Sequence, residues 1–338
     1  MRAIVKALLV ALVLFPKISL TQDTIPTVRL KFDTRFDYTN KFPTSDTLSH
    51  TSSFDGRYLN IILEGELNNK FSYKYRQRMI QDGKPDYQSF FNATDWLYLT
   101  YKINSNFSFT GGKQVVSIGG YEYDAAPIDL YFWSTFWNNV VCYQIGGTVT
   151  YTSPNQKHSI GFQVANSPFT TKTLQDIYSY NLIWYGNFGW FNTIYSANRI
   201  EFEKDEYINY IALGNRIAVK NFAVELDYMN RFADSQDKLF ADYSVIGSLK
   251  YVFSDKVKVF AKAGYDENNA QKATDSFIYD RFVVPGTEYF FYGVGVEYFP
   301  VKNSKDVRIH AAWTSNNSSV QYNTFSIGVR WQMNVLKR

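Results

Sequence analysis

Between Thr27 and Thr39 the chain alternates: Val28, Leu30, Phe32, Phe36 and Tyr38 fall on one side, Arg29, Lys31, Asp33, Arg35 and Asp37 on the other. A period of two marks a strand, because successive side chains of a strand point to opposite faces. One face here needs water, and the other is too apolar for it. The same signature recurs along the whole chain and predicts strands over 27–39, 56–67, 70–81, 94–103, 106–118, 141–153, 156–166, 177–187, 190–202, 206–218, 221–232, 242–253, 256–267, 287–299, 305–315 and 323–333. Their connections alternate in length. Short polar turns at 68–69, 104–105, 154–155, 187–188, 220–221, 254–255 and just beyond Pro300 separate longer links at 40–55, 82–93, 119–140, 167–176, 233–241 and 268–286, with tighter ones near 203–205 and 316–322.

An even strand number, short turns on one side and long loops on the other are the form of a bacterial outer-membrane barrel. The expected fold is all-β: a 16-stranded antiparallel transmembrane β-barrel with short periplasmic turns, long outer loops and a third loop folded into the lumen. Backbone groups in lipid must be paired internally, which a closed sheet achieves without helices. A secreted β-sandwich also alternates, but its strands are typically about 5 or 6 residues long. Aromatic residues also gather near strand ends, Tyr289, Phe290, Phe291 and Tyr292 against Tyr298 and Phe299. With roughly sixteen strands, the interior of a barrel is a water-filled channel.

Composition narrows the chemistry. The 338-residue chain is 18% aromatic, yet its mean hydropathy is −0.29, so its apolar material is dispersed. After residue 15 no apolar run approaches the roughly 20 residues of a membrane helix. Cys142 alone makes no disulfide, and with three histidines (His50, His158, His310) it offers little to a metal, so neither cofactor nor metal is expected. Arg2 and Lys6 ahead of apolar Ala7 to Phe15, then polar Ser19-Leu20-Thr21, read as a signal peptide over 1–21, leaving 22–338 as the barrel. Loss of Arg2, Lys6 and Lys17 with that leader brings the formal charge from +4 to +1, which points to no nucleic-acid partner.

The charged members of the clear alternations give the lumen thirteen bases (Arg29, Lys31, Arg35, Lys74, Arg76, Arg78, Lys102, Arg231, Lys250, Lys258, Lys262, Arg308, Arg330) and eight acids (Asp33, Asp37, Glu64, Glu66, Glu225, Asp227, Asp266, Glu297). A three-residue turn at 68–70 keeps Leu67 and Phe71 on the lipid side and sets Glu64 opposite Lys74, Ile62 opposite Arg76 and Asn60 opposite Arg78. Lys74 is then expected to be neutralised. Arg76 and Arg78 are left without a cross-strand carboxylate, which makes them the leading anion contacts. Fixed charges of one sign in a wet pore select counter-ions, although any lumen needs some charge to stay wet. Strict alternation would aim Lys113 at lipid, at a cost of about 2–4 kcal/mol at the midplane. A bulge at Gly111-Gly112 is expected to turn it into the lumen beside the third loop, the other outcome being a lysine that snorkels near an interface. That link, 119–140, is too apolar to stand in water. Its Tyr121, Glu122, Asp124, Asp129 and Trp133 are expected to narrow the channel, with Asp124 and Asp129 facing the basic wall. Trp96 and Tyr98 take inward parity and are expected to form a platform for the folded loop or a sugar-stacking surface.

Several runs then resemble a known family: Phe54-Asp55-Gly56-Arg57-Tyr58-Leu59-Asn60, the stretch from Glu64 to Tyr73, Asp95-Trp96-Leu97-Tyr98-Leu99-Thr100-Tyr101-Lys102 and Thr110-Gly111-Gly112-Lys113-Gln114. They look like the phosphate-selective porin O and P family, particularly its Bacteroidota members, in spacing and loop order over roughly 27–170. The resemblance implies an outer-membrane porin, often a homotrimer, that passes small anions or small polar solutes. The leading expectation is passive diffusion with an anion preference, phosphate among the candidates, in contact with outer-membrane lipid. A non-conducting barrel that serves a secretion or surface assembly is the alternative, and absence of conductance would distinguish it. Weak cation selectivity, or no selectivity, is a second alternative, because Glu203, Asp205, Glu206, Asp234, Asp237 and Asp242 offset the bases. Catalysis is not expected, since the inward neighbours of His310, namely Arg308, Ala312 and Thr314, supply neither a paired nucleophile nor an acid.

Overall fold

A computed structural model describes residues 26–44, 49–81, 84–85, 91–170, 176–234, 236, 239–269, 287–317 and 322–337. The leader expected over 1–21 lies outside them. Sixteen strands form the wall: β1 Thr27–Pro43, β2 Thr51–Glu66, β3 Phe71–Gln81, β4 Thr94–Lys102, β5 Phe107–Val115, β6 Tyr143–Thr152, β7 His158–Asn166 and β8 Tyr178–Asn187. They continue as β9 Phe191–Glu203, β10 Glu206–Val219, β11 Phe222–Ala233, β12 Asp242–Ser254, β13 Val257–Asn268, β14 Thr287–Tyr298, β15 Val307–Asn316 and β16 Tyr322–Lys337. A two-residue bridge at Lys84–Pro85 extends the outer end of β3. Each strand pairs antiparallel with its sequence neighbours, and β1 pairs with β16, so the sheet closes.

The alternation holds. Phe107, Phe109, Ile145, Val149, Ile160, Phe162, Leu182, Leu226, Leu249 and Val294 face outward and are exposed, as a lipid-facing belt requires. Every expected strand is present; β1, β2 and β16 run several residues further than the pattern suggested. The strand expected over 106–118 stops at Val115, where the chain leaves the wall and turns into the barrel. That segment holds α1 (Tyr121–Asp124), a 3-10 turn (Pro127–Asp129) and α2 (Phe136–Asn139) before β6 begins. The β2–β3 register is the expected one, with Asn60 opposite Arg78, Ile62 opposite Arg76 and Glu64 opposite Lys74.

Candidate functional site

The folded loop is built into the wall of β9–β16 and β1. Its apolar residues Val116, Ile118, Tyr123, Phe136 and Val140 pack on Ile200, Ile208, Tyr210, Ala212 and Met229, giving the lumen a dry plug on one side. Phe136 meets Tyr210 edge-on at 5.6 Å. The loop's polar backbone is satisfied by inward side chains. Asp227 accepts the N–H groups of Tyr121 and Glu122 at 2.8 and 2.7 Å, and the Ser196 hydroxyl accepts that of Gly119 at 2.8 Å. Glycines make the seat. A Cβ on Gly214 would lie 2.7 Å from Gly120 Cα, and one on Gly293 would lie 2.7 Å from the Phe132 ring. Gly120 itself enters α1 with φ +101°, a left-handed conformation that side chains resist.

Ion pairs hold the loop's lower half. Arg308 donates to Asp129 at 2.7 Å, and Arg35 donates to the carbonyls of Ile128 and Leu130 at 3.2 and 2.6 Å. Lys262 donates to Glu122 and, at 3.0 Å, to the Phe132 carbonyl. Tyr131 stacks on Phe260 at 5.1 Å, lies against His310, and donates to Glu297 at 2.9 Å. Below the loop a cavity of about 330 Å³ opens among Lys250, Lys258, Lys262, Glu225, Glu297 and Arg330. Of the thirteen expected lumen bases, all but Arg29 have a carboxylate within ion-pair distance among the described residues.

An outer-membrane barrel is also what comparison with known proteins returns. The family model described as phosphate-selective porin O and P matches residues 28–187, the whole run from β1 to β8. Across those strands the chain resembles this porin family. No curated protein sequence matches. Among solved structures, the outer-membrane channel DcaP of Acinetobacter baumannii superposes with a TM-score of 0.65 at 11% identity, covering 93% of this chain and 99% of that one. The anion-selective porin from Comamonas acidovorans gives 0.64 at 11%, over 91% and 100%. The trimer form of OmpT from Vibrio cholerae gives 0.62 at 14%, over 92% and 100%. At such identities the likeness is one of fold.

The porin's geometry revises several expectations. Arg76 and Arg78 do have a carboxylate partner: each lies 2.8 Å from Asp95. A register shift between Arg76 and Gln77 makes Asp95 the extra residue of a bulge on β4, which turns it from lipid parity to the guanidinium side. Lys74 is not neutralised alone. Glu64 lies 2.5 Å from Lys31 and 3.7 Å from Lys74. Lys113 does not reach the lumen loop. No register shift occurs at Gly112, which instead takes φ +127°, and Lys113 keeps the row of lipid-facing Leu97 and Ile145. Its ammonium donates to the Phe91 carbonyl at 2.6 Å and lies 4.6 Å from that ring, the snorkelling outcome.

The loop folds into the lumen as expected, but Trp96 and Tyr98 are not its platform. The Trp96 ring is covered by Lys74 at 4.2 Å and Arg76 at 3.9 Å, and the loop's aromatic support comes from Phe260, Phe291 and Tyr210 on the opposite wall. Asp129 faces the basic wall, whereas Asp124 carries no ion pair among the described residues and opens on the lumen. Surrounding protein raises the Asp124 carboxyl above its usual range and pushes the Tyr121 phenol up to about 12. Tyr121 and Trp133 are half-buried.

Two features of the inner wall were missed in the alternation. Asp95 was one, although an acid at lipid parity is the same signal that was applied to Lys113. The other is an amide chain around the inner wall. Asn198 donates to Asn181 at 2.8 Å, Asn181 to Gln163 at 3.0 Å, Gln163 to Thr148 at 3.2 Å and Thr148 to Gln114 at 2.8 Å. It crosses five strands, and Asn198 and Gln163 also hold the backbone C=O and N–H of Ser117 where the loop departs.

Proposed function

We propose that this porin passes small solutes by diffusion with a mild anion preference, set by carboxylates that are each shared between two bases. Glu64 serves Lys31 and Lys74, Asp95 serves Arg76 and Arg78, and Glu225 serves Lys250 at 2.5 Å and Arg216 at 3.7 Å. Each group carries one surplus positive charge, with Arg29 adding another. That repeated surplus supports the reading, because a fixed charge in a wet pore concentrates counter-ions. Arg29, Lys31, Lys74 and Arg78 are the proposed anion contacts, phosphate included. Arg35 is spent on the loop carbonyls, Lys113 on Phe91 and the buried Arg76 on Asp95 and Tyr143, so none of these takes that role. We also propose that residues 1–21 are a leader removed on export, and that the barrels assemble as a homotrimer, the form in which V. cholerae OmpT has been solved.

The reversal potential in planar bilayers under a potassium chloride gradient tests the preference. The native porin is expected to give the sign of chloride selectivity, and Lys74→Gln with Arg78→Gln to move the potential toward zero. A potential of zero or of cation sign in the native porin would overturn the reading.

A further inference from the structure

The two sides of the lumen differ in kind. From Ser108 on β5 to Ile200 on β9, every inward strand position holds Ser, Thr, Asn, Gln, Gly, Ala, Ile or Tyr, and none is charged. The loop's apolar segment covers the outer part of this wall, and its ion pairs lie against the opposite one. The uncovered part is a track. A cavity of about 320 Å³ lined by Trp96, Tyr98, Thr110, Thr150 and Tyr185 adjoins another of about 430 Å³ that runs past Tyr121, Asn187 and Asn192 to Arg216. The two share Ser159 and Tyr185.

The polar groups of this track divide into two sets. The amides of the inner chain bond to one another and are satisfied. The hydroxyls of Tyr98, Thr150, Ser159 and Tyr185 have no protein partner among the described residues, and the Tyr185 ring is 40% exposed although it points inward. Away from its far end at Lys157 and Arg216, an ion in such a track would give up hydration water without meeting a counter-charge on the lining strands. An apolar solute would strand the hydroxyls. A neutral solute with hydroxyls at its edge and C–H groups on its face meets both the hydroxyl row and the two open rings, the pairing of apolar surface with a few placed polar groups that small-molecule sites use.

We propose that β4–β9 form a saccharide track, which binds uncharged polyhydroxylated solutes between the Tyr98 and Tyr185 rings as they cross the channel. This rests on the chain being an open channel but not on its anion preference. It gives the porin a second class of cargo, carried along the wall that the charges avoid.

Current through the native porin in planar bilayers, titrated with maltotriose, tests the proposal. A saturable block is expected, and Tyr98→Ala with Tyr185→Ala should weaken its half-blocking concentration by about tenfold, the worth of two lost ring contacts. Tyr98→Phe with Tyr185→Phe keeps both rings and should retain most of the block, which separates lost stacking from a damaged barrel. Steady current with no saturable block would overturn the track and leave the channel reading standing. So would an equal block by polyethylene glycol of the same size. Absence of any current would overturn both.

Discussion

Single-channel conductance rises by roughly twofold or more when residues 121–135 are deleted, because current follows the open cross-section of the pore. The segment spans the lumen between the Asp227 carboxylate and the Arg35–Arg308 pair, and its removal takes Tyr121, Tyr131, Phe132 and Trp133 out of the passage. The apolar anchor at Phe136 and Val140 stays in place on Tyr210 and Ile208, so the outer part of the barrel keeps its packing. A milder form of the experiment frees the loop without deleting it. Asp227→Ala leaves the N–H groups of Tyr121 and Glu122 without their acceptor, and channels that flicker between the native and the larger conductance are the expected record. Unchanged conductance in the deletion would mean that the loop is not the constriction.

Arg231→Leu lowers the stability of the barrel by about 3–5 kcal/mol, the usual cost of breaking a buried ion pair on one side. Arg231 is fully buried; its Nε donates to Asp242 at 2.7 Å and its Nη1 to Ser244 at 2.8 Å, and Ser244 in turn donates to Asp266. Its guanidinium also lies 5.5 Å from the Phe136 ring, so the loop's anchor and the wall share this group. Loss of the arginine takes the guanidinium away from the buried Asp242 carboxylate and from the Ser244 hydroxyl that links it to Asp266. Removing Asp242 together with Arg231 should recover much of the deficit, since a buried pair replaced as a pair costs far less than one that is broken. Urea titration of the detergent-folded barrel, followed by the shift between folded and unfolded bands on a gel, reads both variants. A single variant as stable as the native barrel would show that the cluster contributes little.

The wall was legible in the sequence because lipid and water impose opposite demands on neighbouring residues. Val28 to Tyr38 could be sorted at sight, and the parity that keeps Leu67 and Phe71 in lipid was enough to place Glu64 against Lys74. The neutral character of β5–β9 was written in the same alternation. Bulges were legible only indirectly: Asp95 changes sides through one extra residue, and its one mark in the sequence is an acid standing at lipid parity. Asp129 meets the basic wall at Arg308 as its place in the loop suggested, whereas a pairing count made strand by strand did not set Glu122 of the loop against Lys262. The apolar content of 119–140 announced that the loop would be buried. Which wall it would choose depended on glycines at 214 and 293 and on acceptors such as Asp227, spread over strands far apart in the chain.

The most direct test of the central claim, that a loop-narrowed barrel of this family is an open channel, is the conductance of the purified protein in planar bilayers. Discrete, uniform current steps in potassium chloride are the result expected of a lumen that keeps open cavities beside the loop. A folded barrel that inserts into the bilayer and carries no current would contradict it and leave a sealed structural barrel in its place.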